Sequence, residues 1–213
     1  MKALVTGFEP FGGDRVNPSF EALRLLPTRL GAIDIATRVL TVVYGAALTA
    51  LHEAIAATGP DIVLSVGLAG GRTELSLERV AINIDDARIL DNGGNQPIDR
   101  PVVAGGPAAY FATLPIKAAV AALREAGIPA SVSNSAGTFL CNHVFYGLMH
   151  EAAQSGGRFR GGFLHVPYLP SQAARQPGAP SMALKQIVEG IEIVLATAAA
   201  RFDDLVVSEG AIS

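Results

Sequence analysis

Short apolar runs closed by glycine or proline alternate along this chain with segments of helical period, and no other feature restricts the fold as much. Strands are expected at Lys2–Thr6, Ile33–Val42, Asp61–Val66, Leu75–Ile84, Ala130–Asn134 and Gly162–Val166. Several are nearly unbroken apolar runs, as when both faces of a parallel sheet are covered. Helices are expected at Ser19–Leu26, Gly45–Ala57, Ile116–Ala126, Thr138–Gln154 and Met182–Phe202, the second and third closing near the stop signals Gly59-Pro60 and Gly127-Ile-Pro129. The pattern is that of βαβ units. It predicts one α/β domain over residues 1–213, with a twisted, mainly parallel central sheet flanked by helices on both faces. The Gly-rich pieces are short and lie between periodic elements, so none reads as a linker between two cores. Leu90–Gly106 is the longest expected stretch without regular structure, and such a loop in a compact domain is usually functional or mobile.

At 213 residues the chain is long enough to bury a large core without covalent staples. It has one cysteine, so no intramolecular disulfide can form and a reducing, cytoplasmic setting is expected. The apolar run at the N-terminus is too short for a signal-peptide core. Elsewhere glycine, proline or charges interrupt every apolar stretch before the roughly 20 residues a spanning helix needs. A net charge of −3 without a dense Lys/Arg cluster argues against nucleic-acid or membrane-surface partners. A small neutral ligand fits better.

The lone cysteine, Cys141, lies in Ser133-Asn-Ser-Ala-Gly-Thr-Phe-Leu-Cys-Asn-His143, where a strand is expected to turn into a helix. A thiolate there would be favoured by the positive helix end and by a nearby histidine, which can lower a thiol pKa from about 8.5 into the range ~3.5–7.5. A small core hydrophobe is the alternative. His165 ends the apolar run Gly162–Val166 just before a proline-rich turn, at the edge of a parallel sheet that usually carries ligands. If its strand neighbours the one before Cys141, imidazole and thiol come within hydrogen-bond reach. A third group must then hold the imidazole, and Glu78 is the candidate, because period-2 alternation puts it on one strand face with Ser76 and Val80. A surface charge paired with Arg79 or Arg72 is the other reading of Glu78, and Asp85 and Asp86 compete for the orienting role.

His143 is two residues from Cys141 and points away from it on a helix. Cys141, His143 and His150 have poor spacing for a zinc site, and no CxxC or HExxH pair supports one. His52 is expected at the surface.

The first strand runs into Val5-Thr-Gly-Phe-Glu-Pro-Phe-Gly-Gly-Asp14, a Gly-rich turn that matches neither phosphate-loop pattern and holds no lysine. It carries Phe8 and Phe11 instead, aromatics that can wall a small apolar pocket or fold back onto the core. Asn17 and Pro18 read as N-cap and first helical residue. An α/β module binding a nucleoside or phosphate at this turn, with a structural cysteine, is the competing functional reading.

Taken together, Val5–Ser19, Gly67–Pro97, Ser133–His143 and Gly162–Gln172 resemble, in order and spacing, the pyroglutamyl peptidase I family, the pyrrolidone carboxyl peptidases. The resemblance implies a cysteine peptidase that removes an N-terminal pyroglutamyl residue from peptides, with a catalytic triad of Glu78, Cys141 and His165 and no metal or organic cofactor. It further implies that Phe8, Phe11, Phe139 and Leu140 shape the lactam pocket, that Asn17 helps to hold the substrate, and that Arg88 lies beside the oxyanion. Homo-oligomers, often tetramers, are implied too. One departure stands out: the family usually reads Gly-Gln-Ala-Gly-Gly-Arg where this chain has Gly67-Leu68-Ala-Gly-Gly-Arg72.

Overall fold

The computed structural model describes residues 1–210. In chain order the elements are β1 (Lys2–Phe8), α1 (Pro18–Leu23), β2 (Arg29–Leu30), β3 (Ile33–Leu40), α2 (Ala46–Thr58), β4 (Ile62–Leu68), β5 (Leu75–Glu78), β6 (Val80–Ile82) and β7 (Ala109–Phe111). They continue with α3 (Ile116–Glu125), β8 (Ala130–Ser133), α4 (Leu140–Gln154), β9 (Arg160–Val166), α5 (Pro170–Ala173) and α6 (Leu184–Ala200). Among the described residues seven strands form one sheet in the order β2-β3-β1-β4-β9-β5-β8, and β6 pairs with β7 apart from it.

The apolar runs of β1, β4 and β9 are buried almost end to end because helices cover both sheet faces. One face packs Ala3, Val5, Leu64, Val66, Leu77 and Leu164 under α1, α3 and α6. The other packs Leu4, Val63 and Phe163 under α2 and α4. Alternation along each strand sends successive side chains into the two cores, so Gly67, His165, Ser76 and Glu78 all belong to the face under α2 and α4. Among the described residues no helix is long and apolar enough to cross a membrane.

Two sequence expectations change. The run read as one strand, Leu75–Ile84, is broken at Arg79: β5 ends at Glu78 in the main sheet, and β6 begins at Val80 in the second. Arg79 is the pivot, its N–H donating to Ser133 O at 2.8 Å while its C=O accepts from Ala112 N–H at 2.9 Å. Val80 therefore does not share a strand with Glu78. Moreover, β8 and β9 are not neighbours. β5 lies between them, parallel to β8 and antiparallel to β9, so the parallel run β3-β1-β4-β9 and the parallel pair β5-β8 meet at one antiparallel step.

Candidate active site

Cys141 is the second residue of α4, whose apolar stripe of Val144, Phe145, Leu148 and Ala152 fixes the helix on the sheet. Phe139 precedes the helix in an extended conformation and offers no side-chain cap. The first turn's backbone N–H groups have no intrahelical acceptor, and the first bond into the helix comes only with His143 N–H to Phe139 O at 3.1 Å. Leu140 and Cys141 thus bring donor N–H groups to the point where the thiol emerges. The helix start is anchored by Asn142, which is fully buried and whose side chain bonds the backbone of Ile82 through both its oxygen and its nitrogen, and that of Ile84 through its nitrogen.

Gly67 makes room for the thiol. It is the in-register neighbour of His165 on β4, and a Cβ at this position would stand 2.8 Å from Cys141 Sγ and 2.8 Å from Phe163 Cζ. Only glycine permits this approach.

His165 and Glu78 meet across the antiparallel β5–β9 pair. Ser76 is directly opposite His165, and Glu78 is opposite Phe163. Diagonal residues on one face are within reach of long side chains, and Glu78 Oε1 lies 2.7 Å from His165 Nδ1. Both groups are buried. The same Oε1 takes a 2.8 Å bond from Arg72 Nη1, and Arg72 Nη2 reaches Ser135 O at 3.2 Å. Glu78 Oε2 is buried with no hydrogen-bond partner among the described residues. Glu78 faces the imidazole and pairs with Arg72, but as a fully buried carboxylate and not as the surface charge of the other reading.

The electrostatics differ from the thiolate expected of a helix start. Burial pushes the Cys141 thiol up to about 12; the Glu78 carboxylate adds to the rise and the Arg72 guanidinium opposes it. Burial also lowers His165, against the hydrogen bond and charge of Glu78 and with Arg72 reinforcing the fall. Desolvation disfavours whichever form is charged. Both shifts favour a thiol and a neutral imidazole over a thiolate and an imidazolium. Among the described residues no hydrogen bond joins them, although both line one cavity.

That cavity, of about 710 Å³, is also lined by Phe11, Phe139, Leu68 and Arg88. The Phe11 and Phe139 ring centroids are 6.2 Å apart, and Tyr44 stands edge-on behind Phe139 at 5.7 Å. Three other residues expected at the pocket lie outside its lining. Phe8 is buried with its ring 6.5 Å from that of Phe163, because it is the last residue of β1 and strand alternation puts it in the same core as Leu4. Leu140 is buried in the α4 core. Asn17 caps α1 and is occupied by its own chain, its oxygen accepting from Ser19 N–H and Oγ–H and its Nδ2 donating to Glu9 O.

The rival carboxylates are placed elsewhere. Asp85 Oδ2 lies 2.8 Å from His143 Nδ1, and Gly45 N–H donates to His143 Nε2 at 3.3 Å. His143 is therefore consumed by structural bonds on another side of α4. Asp86 lines the cavity without bonding His165. Among the described residues no cluster of histidine, cysteine and carboxylates is placed to hold a metal ion.

Sequence reasoning missed Gly67 as the space for the thiol and Asn142 as the helix anchor, and it took Arg72 only as a surface partner. The motif Gly67-Leu-Ala-Gly-Gly-Arg72 was the available signal for two of the three.

A family model described as pyroglutamyl peptidase matches residues 1–201. A pyrrolidone-carboxylate peptidase 1 of Ralstonia nicotianae is 57% identical over 203 residues, 95% of this chain and 94% of that one. A pyrrolidone-carboxylate peptidase of Cupriavidus taiwanensis is 59% identical over 197 residues, 92% of this chain and 91% of that one. The crystal structure of pyroglutamyl peptidase I from Bacillus amyloliquefaciens superimposes with a TM-score of 0.94 at 48% identity, covering 97% of this chain and 99% of that one. A mutant pyrrolidone carboxyl peptidase from Pyrococcus furiosus gives 0.91 at 42% identity, covering 95% and 100%. With its fold and nearly its whole length shared with these proteins, the chain belongs to the pyroglutamyl peptidase family.

Proposed function

We propose that this protein hydrolyses the amide bond after an N-terminal pyroglutamyl residue, with Cys141 as nucleophile, His165 as base and acid, and Glu78 as the group that holds the imidazole. The observation that carries this reading is the convergence of these three side chains on one sheet face beside an aromatic-walled cavity, in a chain of this family. A pyroglutamyl ring has no free amine, so its site needs no carboxylate to meet an ammonium ion. The Phe11 and Phe139 walls suit the ring, and main-chain groups can read its N–H and C=O. Leu68 serves there through its backbone. Phe8, Asn17 and Leu140 act from behind the cavity, by fixing the turn that carries Phe11 and the helix start that carries Cys141.

With Nδ1–H donated to Glu78, His165 keeps its Nε2 lone pair for the thiol proton. As that proton moves, Cys141 Sγ attacks the carbonyl carbon, and negative charge gathers on the carbonyl oxygen. The N–H groups of Leu140 and Cys141 and the Arg88 guanidinium are the available donors to it. The C–N bond breaks as the imidazolium passes its proton to the leaving amine. Water, deprotonated by His165, then attacks the thioester and releases pyroglutamate and the thiol. The scheme uses no metal or organic cofactor. It requires a reduced cysteine, which fits a cytoplasmic setting. Exposed Leu90, Ile98, Phe111 and Phe202 supply apolar surface for a homo-oligomer, a tetramer by family resemblance.

The test sets a pyroglutamyl amide reporter beside its prolyl and glutaminyl counterparts. Cleavage of the first alone is expected; comparable kcat/KM on the prolyl reporter would overturn the assignment.

A further inference from the structure

The Glu78 carboxylate is fully buried, yet it is held through a single oxygen. Oε1 receives both His165 Nδ1 and Arg72 Nη1, while Oε2 has no partner among the described residues. A buried polar atom left unpaired costs free energy and persists where the surroundings force it. Arg72 shares the one bonded oxygen with the imidazole. Its planar fork spans two acceptors, Glu78 Oε1 and Ser135 O, which belong to the strand behind the imidazole and to the loop leading into the nucleophile helix. Without it the carboxylate would keep one hydrogen bond, to His165, and could turn about its terminal torsion away from the ring. The Ser135 bond also ties the turn after β4, which follows Leu68, to the segment that delivers Cys141.

We propose that Arg72 is a positioning residue of the active site, a clamp that aims the Glu78 carboxylate at His165 and locks the turn after β4 to the approach of the nucleophile. The proposal rests on the peptidase reading for its meaning, but not for its test. The charged or titratable groups facing His165 are Glu78 from β5, Arg72 from the turn after β4 and Cys141 from α4; Asp14, Asp86, Arg88 and Tyr168 line the same cavity. The Arg72 charge opposes protonation of His165, so its removal has a sign: the imidazole should titrate at higher pH.

The experiment compares the full-length wild-type, Arg72→Gln and Arg72→Lys proteins, with circular dichroism to establish folding. In Arg72→Gln, kcat should fall roughly 10–100-fold, the usual effect of losing a group that orients a catalytic ligand, with KM little changed. The acid limb of kcat/KM should move to higher pH. In Arg72→Lys the limb should return toward wild type, because the charge is restored, but kcat should recover only in part, because one ammonium cannot reproduce the fork. An NMR titration of the His165 imidazole needs no substrate and should show the same upward shift in Arg72→Gln. A folded Arg72→Gln protein with wild-type kcat, or with an unmoved His165 titration, would overturn the clamp. Failure of the wild-type protein to cleave a pyroglutamyl reporter would overturn the peptidase reading instead, and the NMR comparison would still decide the role of Arg72.

Discussion

His165 Nδ1 donates to Glu78 Oε1 at 2.7 Å, although the residue paired with it across the sheet is Ser76. The carboxylate reaches diagonally along the face shared by β5 and β9, and this offset places the glutamate at the Nδ1 edge and leaves the other ring nitrogen for the thiol. An imidazole held in one tautomer can act as a base at Nε2.

That arrangement separates the two histidines near the nucleophile. His165→Ala should reduce turnover by several orders of magnitude with the fold retained. His143→Ala should leave kcat of the same order but destabilise the protein by about 2–4 kcal/mol, because it strips the buried Asp85 carboxylate and the Gly45 N–H of their partner. Steady-state kinetics and thermal melts on both variants check this pair of outcomes. Equal loss of kcat would show that His143 shares in the chemistry.

The space at Gly67 makes a second prediction. Since an added Cβ would stand 2.8 Å from Cys141 Sγ, Gly67→Ala must displace either the thiol or the Phe163 ring. A displacement of this order typically costs about 10²-fold in rate, with a stability loss of roughly 1–3 kcal/mol from overpacking. Kinetics alongside melting should show the rate falling far more than stability accounts for; wild-type kcat in the variant would mean that the thiol works from another position.

The directions of the two shifts set an expected pH dependence. Burial lowers His165 from its ordinary value of 6.5, so the imidazole stays unprotonated further into the acid range than a free one. The acid limb of kcat/KM, which reports the free enzyme, should therefore lie below pH 6.5. With the thiol raised to about 12, the ultraviolet difference spectrum between wild type and Cys141→Ala should show no thiolate band at neutral pH. A thiolate band there would establish an ion pair in place of the neutral one.

The fold class was legible because the runs of β1, β4 and β9 carry their burial in their composition. That Cys141 and His165 share one cavity was legible too, each lying at the end of an apolar element. What the sequence hid was pairing between distant strands. Nothing in the local pattern of Leu75–Ile84 shows that β5 inserts between β8 and β9, or that the chain leaves the main sheet at Arg79. Strand order is decided by which faces bury best together, and no window of sequence contains that information. Arg72 was hidden for a similar reason: an arginine beside an acidic strand reads as solvated charge until burial shows which oxygen it holds. The sequence showed the helix end beside the thiol but not its desolvation, which acts in the opposite direction.

The central claim is that Cys141 carries the pyroglutamyl group through a thioester. The most direct measurement is rapid acid quenching during turnover of a pyroglutamyl reporter, followed by mass analysis of the intact protein and of its peptides. A pyroglutamyl adduct should appear on the peptide containing Cys141 and vanish in Cys141→Ala, whose turnover should fall on the order of 10⁶-fold. An adduct on any other residue, or turnover retained in Cys141→Ala, would contradict it.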